Sequence, residues 1–364
     1  MPQNEPLPLS DLRAFVSEDT FEWLEDAEEK ERSWQKIQKA MQRLQDQASQ
    51  VPESIQTGTN VVRIQEWTSS LKHPDGYGGF ERRDDTTSAI DNRAGKTTED
   101  EDGHDNITVK YILSGDVWQG FGNQVWAASR HLANMLADPI KCRVLLDPSL
   151  SNLFDNDHTS TSSTKSLDKV TQHPLEGICM CELGTGAGIP SWIAMRRGAR
   201  VVSLDQAIPG RIRAVAECAQ RNWQDVVESD RNDVDGGPFF HRPVISPYDW
   251  GNPVEDITDL LKQDGQDRFD VLVAADCLFM PWFHSELLES IDLLLSDRGV
   301  AILTFPLHGN VEDEQIWSFV DQANEKGFTA DQPFPPLQLT PQTFDMDLRQ
   351  AFVYTLRLRK QVDP

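Results

Sequence analysis

The sequence predicts an α/β protein: a mostly parallel sheet with helices on both faces, preceded by a helical N-terminal extension. Three observations predict it. Short, nearly continuous apolar runs (GICMCEL, RVVSLD, PVIS, FDVLVAAD and GVAILTF) follow one another from Gly177 onward. Stretches of helical character separate them, near 189–197, 209–223, 283–296 and 311–326. Apolar strands alternating with helices belong to a parallel sheet covered on both faces. The third observation is local: the first run opens into CELGTGAGIP, where Gly184, Gly186 and Gly188 alternate just ahead of a helix.

The elements follow in chain order. Residues 9 to about 50 read as helical and polar, with Ser10 as a candidate cap of the first stretch. Trp34, Ile37, Met41, Leu44 and Ala48 form an apolar stripe on one helix face, read as a helix docked on the body of the protein, with a partner-binding helix as the alternative. VVRIQEW reads as a short strand or a continuation of the helix, and the extension closes at residue 72. Residues 73–105 hold little aliphatic content and end in a run of acids, so they are expected to be a disordered linker.

The main domain is expected over 106–360. DVWQGFGNQVWAASRHLANMLA reads as a loop feeding an amphipathic helix, with Val125, Ala128, Leu132 and Leu136 on one face. Two polar insertions without periodicity, near 151–172 and 225–238, are expected to be mobile. AFVYTLRLR is a closing strand that follows no helix. It alternates, with Phe352, Tyr354, Leu356 and Leu358 on one side, and is expected to run antiparallel at or near an edge.

The chain has 364 residues, with 34 Lys plus Arg against 59 Asp plus Glu and a net charge of -25. Such acidity disfavours nucleic acid and anionic membranes and is compatible with a basic protein substrate. No apolar run approaches the ~20 residues of a membrane span. MPQNEPLPLS lacks the basic and apolar regions of a signal peptide. Cys142, Cys179, Cys181, Cys218 and Cys277 lack metal-ligand spacing and read as reduced thiols packed as small hydrophobes, which points to the cytoplasm. With no long apolar seam, the chain is expected to be a monomer. No metal cluster, P-loop or Ser-His-Asp order is seen.

The glycine loop places bare backbone amides and a helix N-terminus at the carboxyl ends of the strands. A dinucleotide fold asks for G-x-G-x-x-G; here the spacing is G-x-G-x-G and Ile189 stands where the third glycine would fall. Glu182 ends the strand, where a carboxylate is awkward beside a pyrophosphate but suits a cation. S-adenosyl-L-methionine, a sulfonium without phosphate, fits that description. Asp205 ends the second run and can accept ribose hydroxyls. In YDWG, Asp249 and Trp250 can bracket an adenine, the acid toward its exocyclic amine and the indole across its face. AADCLF ends its strand in Asp276, with the aromatic Phe279 three residues on. Trp118, two residues before Gly120, reads as a ligand contact or lid, whereas Trp126 at the helix start and Trp192 are compatible with packing alone. His284, at a helix start, is expected to be solvated. His308, past the fifth run, is a possible substrate contact.

Four stretches carry a family resemblance: VWQGFGNQVWAASRHL, CELGTGAGIPSWIAMRRGARVV, YDWG and ADCLFMPWFHSELL, with FPLHGNVED after the fifth run in support. The chain resembles the class I methyltransferases, specifically methyltransferase family 16 and its nicotinamide N-methyltransferase-like branch, which includes an N-terminal and lysine methyltransferase of elongation factor 1-alpha. The resemblance spans about Asn106 to Lys360. It implies a seven-stranded Rossmann-like sheet whose last strand is antiparallel. It implies that Trp118 or Trp126, the segment Gly184-Thr185-Gly186, Asp205, Trp250 and Ala275 line the cofactor. It also implies a protein amine or a small amine as acceptor.

Methyl transfer from a sulfonium needs position and electrostatics, because the cofactor supplies the activated methyl. Asp276 is expected to orient cofactor and acceptor, with Phe279, Trp282 and Trp118 as walls; no residue stands out as a general base. The expected function is protein lysine or N-terminal amine methylation, with a translation-factor-like substrate. The alternatives are a nicotinamide-like small-molecule acceptor, a non-catalytic binding module on the same fold, and an NAD-dependent oxidoreductase.

Overall fold

A computed structural model describes residues 6–49, 64–69, 107–112, 125–147, 173–230, 240–262, 265–308, 311–339 and 348–361. The expected linker, the insertion at 151–172, most of the insertion at 225–238 and Trp118 lie outside them.

The N-terminal segment forms α1 (Leu9–Leu12), a 3-10 turn at Arg13–Phe15, and α2 (Glu18–Ser49). Ser10 is not the cap: Pro8 holds that position in α1 without a side-chain bond. The capping hydroxyl is that of Ser17, which accepts the Thr20 N–H at 3.2 Å at the start of α2. Docking is carried by Leu12, Phe15, Phe21 and Leu24, all buried. The side chains of the stripe from Trp34 to Ala48 lie outside the described residues. Arg213 donates to the Leu7 carbonyl at 3.0 Å and pairs with Glu28. Val16 bridges Ile245, so the segment covers an edge of the main sheet.

Next come β1 (Ile64–Thr68) and β2 (Thr108–Ile112), which pair antiparallel with Trp67 opposite Val109. The expected boundary between extension and linker therefore falls between two strands that pair. Then follow α3 (Ala127–Ala137) and α4 (Pro139–Leu146). The separate helix α4 was not expected, although its signal is local: Asp138 accepts the N–H groups of Ile140 and Lys141 at 2.9 and 3.1 Å, ahead of Pro139.

The main body runs β3 (Cys179–Leu183), α5 (Ile189–Arg196), β4 (Arg200–Asp205), α6 (Pro209–Asp230), β5 (Val244–Pro247), α7 (Glu255–Lys262), β6 (Phe269–Ala275), α8 (His284–Leu294), β7 (Leu295–Pro306), α9 (Asp313–Glu325), β8 (Phe328–Asp331), β9 (Leu337–Gln338) and β10 (Phe352–Lys360). The strand order is β5-β4-β3-β6-β7-β10-β8, with the short β9 pairing with β10. The strands β3 to β7 are parallel, and β10 runs antiparallel to β7 and β8. This is the mostly parallel α/β sheet expected of a class I methyltransferase fold.

Each strand divides its side chains between two cores. Met180, Val201, Ile245, Val271 and Ile302 join one cluster with residues of α3, α5 and α6. Cys179, Cys181, Leu183, Val202, Leu272 and Leu303 join the other with residues of α7, α8 and α9. Burial on both faces explains why the strands read as apolar runs rather than as alternating ones. The five cysteines are free and buried, and burial pushes the Cys179 thiol up to about 12.

The closing strand lies near an edge, as expected: β10 is next to last, between β7 and the edge strand β8, so Thr355 and Arg357 on its other face are buried too. Arg357 is accommodated by Asp331 (Nε to Oδ1 2.9 Å) and by the Val144 carbonyl at the end of α4 (2.7 Å). The second acidic insertion begins later than expected, because α6 continues to Asp230. Asp225 belongs to that helix and pairs with Lys110 at 2.8 Å and with Arg196 at 3.5 Å.

Candidate active site

The parallel strands β3 to β7 end along one edge of the sheet, and the described site residues expected from the sequence, Trp126 apart, are built on those ends. Gly184 has φ +68° and amide N–H groups at 184 and 185 that donate to the Leu204 carbonyl at 2.9 and 3.1 Å. A Cβ there would lie 2.9 Å from Cys277 Sγ and 3.3 Å from Trp250 Cζ2, so the chain passes closer than a side chain permits. Thr185 adds a hydroxyl bond to the same carbonyl at 3.0 Å. Gly188 is the N-cap of α5, and a Cβ there would meet the Trp192 ring at 2.5 Å. Trp192 itself is buried with Nε1 on the Ala187 carbonyl at 3.0 Å, a packing residue as expected. Apart from its chain neighbours, no atom of the described residues lies within 4 Å of where a Cβ on Gly186 would be, so among them the loop presents an open floor there.

Asp205 is tied to that floor. Its Oδ2 accepts the Gly186 N–H at 2.6 Å; its Oδ1 accepts the Gln206 N–H at 2.7 Å and Arg211 Nη1 at 3.2 Å. Burial raises its carboxyl, and Arg211 with the two amides works against that rise.

Glu182 takes a different part from the one expected of it. It is buried, and its Oε2 accepts the Ser191 N–H at 3.1 Å and the Ser191 hydroxyl, which in turn contacts Ser203 Oγ at 2.8 Å. The cause is the glycine cap: Gly188 has no side chain to satisfy the first turn of α5, and Glu182 supplies the acceptor. Burial pushes its carboxyl up to about 8, against the pull of the Ser191 bonds. At neutral pH that acid is mostly uncharged, so it is a weak attraction for a cation.

The turn after β5 is pinned to α8. Ser290 Oγ meets Tyr248 Oη at 3.0 Å and accepts the Gly251 N–H at 2.9 Å. This leaves Trp250 half-buried beside the glycine loop and Asp249 exposed.

On the other side, Ala275 ends β6 and Asp276 follows with φ +60°, a left-handed conformation that costs a non-glycine residue about 1–2 kcal/mol. Its N–H is held by the Thr304 carbonyl at 2.7 Å. Its Oδ1 lies 2.7 Å from His308 Nε2, while Oδ2 is buried and has no hydrogen-bond partner among the described residues. An unmet buried acceptor costs about 1–3 kcal/mol. The His308 ring lies between Trp126 (centroids 5.6 Å apart, planes 18°) and Phe279 (5.5 Å, 15°). Trp126 stands at the start of α3.

Two sequence readings fail here. Trp282 is no wall: it is 63% exposed, next to the exposed Phe283 on a 3-10 turn. His284 is not solvated: it is fully buried, with Nε2 on the Leu278 carbonyl at 2.9 Å and Phe319 edge-on at 5.2 Å, and burial lowers its pKa. The contact between Asp276 and His308, and that between Asp205 and Arg211, had no sequence signal. Among the described residues no group of three or more His, Cys, Asp or Glu could hold a metal ion, and no helix is long and apolar enough to cross a membrane.

No family model matches the chain. Protein N-terminal and lysine N-methyltransferase EFM7 of Gibberella zeae is 30% identical over 171 residues, 43% of this chain and 59% of the relative. The protein of the same name from Yarrowia lipolytica is 24% identical over 173 residues, 46% of this chain and 62% of the relative. The chain thus spans about three fifths of the length of these curated relatives. Among solved structures, magnesium protoporphyrin IX methyltransferase of Synechocystis is 13% identical, with TM-score 0.35 over 63% of this chain and 88% of that one. A likeness that low carries no argument about function. In sequence the chain is similar to the curated relatives, which are named as methyltransferases of protein N-terminal and lysine amines.

Proposed function

We propose that the chain is an S-adenosyl-L-methionine-dependent N-methyltransferase that modifies an N-terminal or lysine amine of a protein. The observation that carries this reading is the set of groups at one sheet edge. The open floor at Gly186, the Asp205 carboxylate bonded to it and the Trp250 ring beside Gly184 lie on one side. Asp276, whose Oδ2 has no partner among the described residues, lies on the other. The residues fit the cofactor: an open glycine loop and a ribose-type acid ask for no phosphate, and an indole face suits adenine.

The bound cofactor supplies an activated methyl group. The protein's part is to hold the acceptor nitrogen in line with it and keep water out. Asp276 Oδ2 accepts an N–H of the neutral amine and so aims the nitrogen lone pair. Phe279 and Trp126 flank His308 and make that side of the site aromatic.

A protein acceptor is supported by the names of the relatives, and a basic, translation-factor-like one by the family resemblance and by the net charge of -25. One chain carries every group invoked, which supports a monomer, and the buried free thiols support the cytoplasm. The test has two parts. Calorimetry should show S-adenosylhomocysteine binding and no response to NAD. Labelled cofactor incubated with the enzyme and a cell lysate should label a protein band. Label confined to small molecules would replace the protein acceptor by a small amine, and indifference to S-adenosylhomocysteine would end the methyltransferase reading.

A further inference from the structure

We propose that His308 is a positioning residue for methyl transfer, which fixes the Asp276 carboxylate so that Oδ2 faces the acceptor amine. The inference rests on the methyltransferase reading and adds a residue to it.

The geometry is specific. A carboxylate only accepts hydrogen bonds, so at 2.7 Å the hydrogen is on His308 Nε2 and is donated to Asp276 Oδ1. Two aromatic faces within 18° of parallel set the plane of the imidazole. A ring held in that plane can meet the carboxylate only with its edge. The main chain of Asp276 is held from the same strand: Thr304 accepts its N–H at 2.7 Å, and His308 stands just beyond the end of β7. Backbone and side chain are therefore anchored from one strand end, in a conformation (φ +60°) that an aspartate does not adopt freely. What this anchoring leaves over is Oδ2, buried and unpartnered among the described residues.

The consequence concerns rate rather than cofactor binding. In the transfer, the bond from nitrogen to the methyl carbon forms as the sulfur–methyl bond breaks, and the electron pair of that bond stays on sulfur. The methylated nitrogen then sheds a proton to solvent. His308 takes no proton in this scheme. It keeps one carboxylate oxygen occupied so that the other is presented in a single orientation.

The experiment compares His308→Phe, which keeps an aromatic ring between Trp126 and Phe279 but has no donor, with His308→Gln, which keeps an N–H. For each, kcat and KM on a competent protein substrate and the Kd for S-adenosylhomocysteine are measured, with near-UV circular dichroism as the check on folding. His308→Phe should lose roughly 10- to 100-fold in kcat with the Kd changed less than about threefold. His308→Gln should recover about tenfold of that loss. In an Asp276→Asn background, His308→Phe should cost less than about threefold more, because the carboxylate it positions is gone. Unchanged kcat in His308→Phe, a loss confined to KM and Kd, or full additivity with Asp276→Asn would each overturn the proposal. If His308→Phe does not fold, His308→Leu, which also lacks the donor, takes its place: the same loss in kcat with the Kd kept is expected, and unchanged kcat in that folded variant overturns the proposal. Wild-type protein that neither binds S-adenosylhomocysteine nor methylates would instead overturn the reading beneath it.

Discussion

The carbonyl of Thr304 accepts the backbone N–H of Asp276 at 2.7 Å, and the Thr304 hydroxyl donates to the Ala128 carbonyl at 3.0 Å. One buried residue of β7 thus joins the turn after β6 to the first turn of α3, where Trp126 stands. Thr304→Val keeps the shape and the main-chain bond but removes the hydroxyl. It should cost about 1 kcal/mol in denaturant unfolding and lower kcat a few-fold, with the S-adenosylhomocysteine Kd intact. Wild-type kcat in that variant would show that the start of α3 does not matter for transfer.

Asp205 links the loop floor to Arg211, so its removal should be felt in cofactor binding. Asp205→Ala is expected to weaken S-adenosylhomocysteine by roughly 30-fold or more, measured by calorimetry, because a charged acceptor for the ribose is lost. Asp205→Asn should be weaker than wild type as well, since its amide cannot accept at both positions.

The two loop glycines should separate folding from binding. Gly184→Ala meets Cys277 Sγ at 2.9 Å and carries the left-handed penalty, so it should destabilise the fold by about 2 kcal/mol or more. Cys277→Gly in the same chain should return part of that. Gly186→Ala meets no atom of the described residues within 4 Å beyond its chain neighbours and should cost only the conformational penalty of about 1–2 kcal/mol. Its methyl group stands over the open floor, so S-adenosylhomocysteine affinity should fall all the same. Undiminished affinity in Gly186→Ala would move the cofactor away from this loop.

Glu182 should make stability fall as pH rises. Its folded carboxyl is raised from 4.5 to about 8 by burial. Protons are therefore held more tightly by the folded state, and the stabilisation is complete below pH 4.5 and is lost as pH climbs to about 8. Glu182→Gln cannot ionise. Relative to wild type it should gain stability across that window, on the order of 2–4 kcal/mol by pH 8, and show no gain at pH 4.5. A difference between the two proteins that is flat with pH would mean that Glu182 is ionised in the fold.

Local chemistry made much of this architecture legible. The strands β3 to β7 each bury both faces, so each is an uninterrupted apolar run, and the glycine loop announces itself by composition. Other elements left no such mark. The strand β8 has four residues, FTAD, and is defined by its pairing with Arg357 to Lys360 of β10. The antiparallel pair β1 and β2 was not read as a pair because about forty residues separate its strands. His284 looked like a polar helix start and proved to be core, because the preceding 3-10 turn folds it back onto Phe319.

By itself, the sequence determined the α/β class, the strand ends at which the candidate site groups stand, and the absence of a phosphate-type glycine spacing. Those are properties of neighbouring residues: periodicity, glycine, and an acid or aromatic at the close of a run. The tertiary structure decided which of these groups meet. Asp276 and His308 lie 32 positions apart and touch only because β6 and β7 pair in parallel and end together. Glu182 bonds to the start of α5 because Gly188 leaves the first turn of that helix without a cap. Distances across a sheet are set by strand order, and strand order is fixed by how both faces are covered at once, which no short window of residues contains.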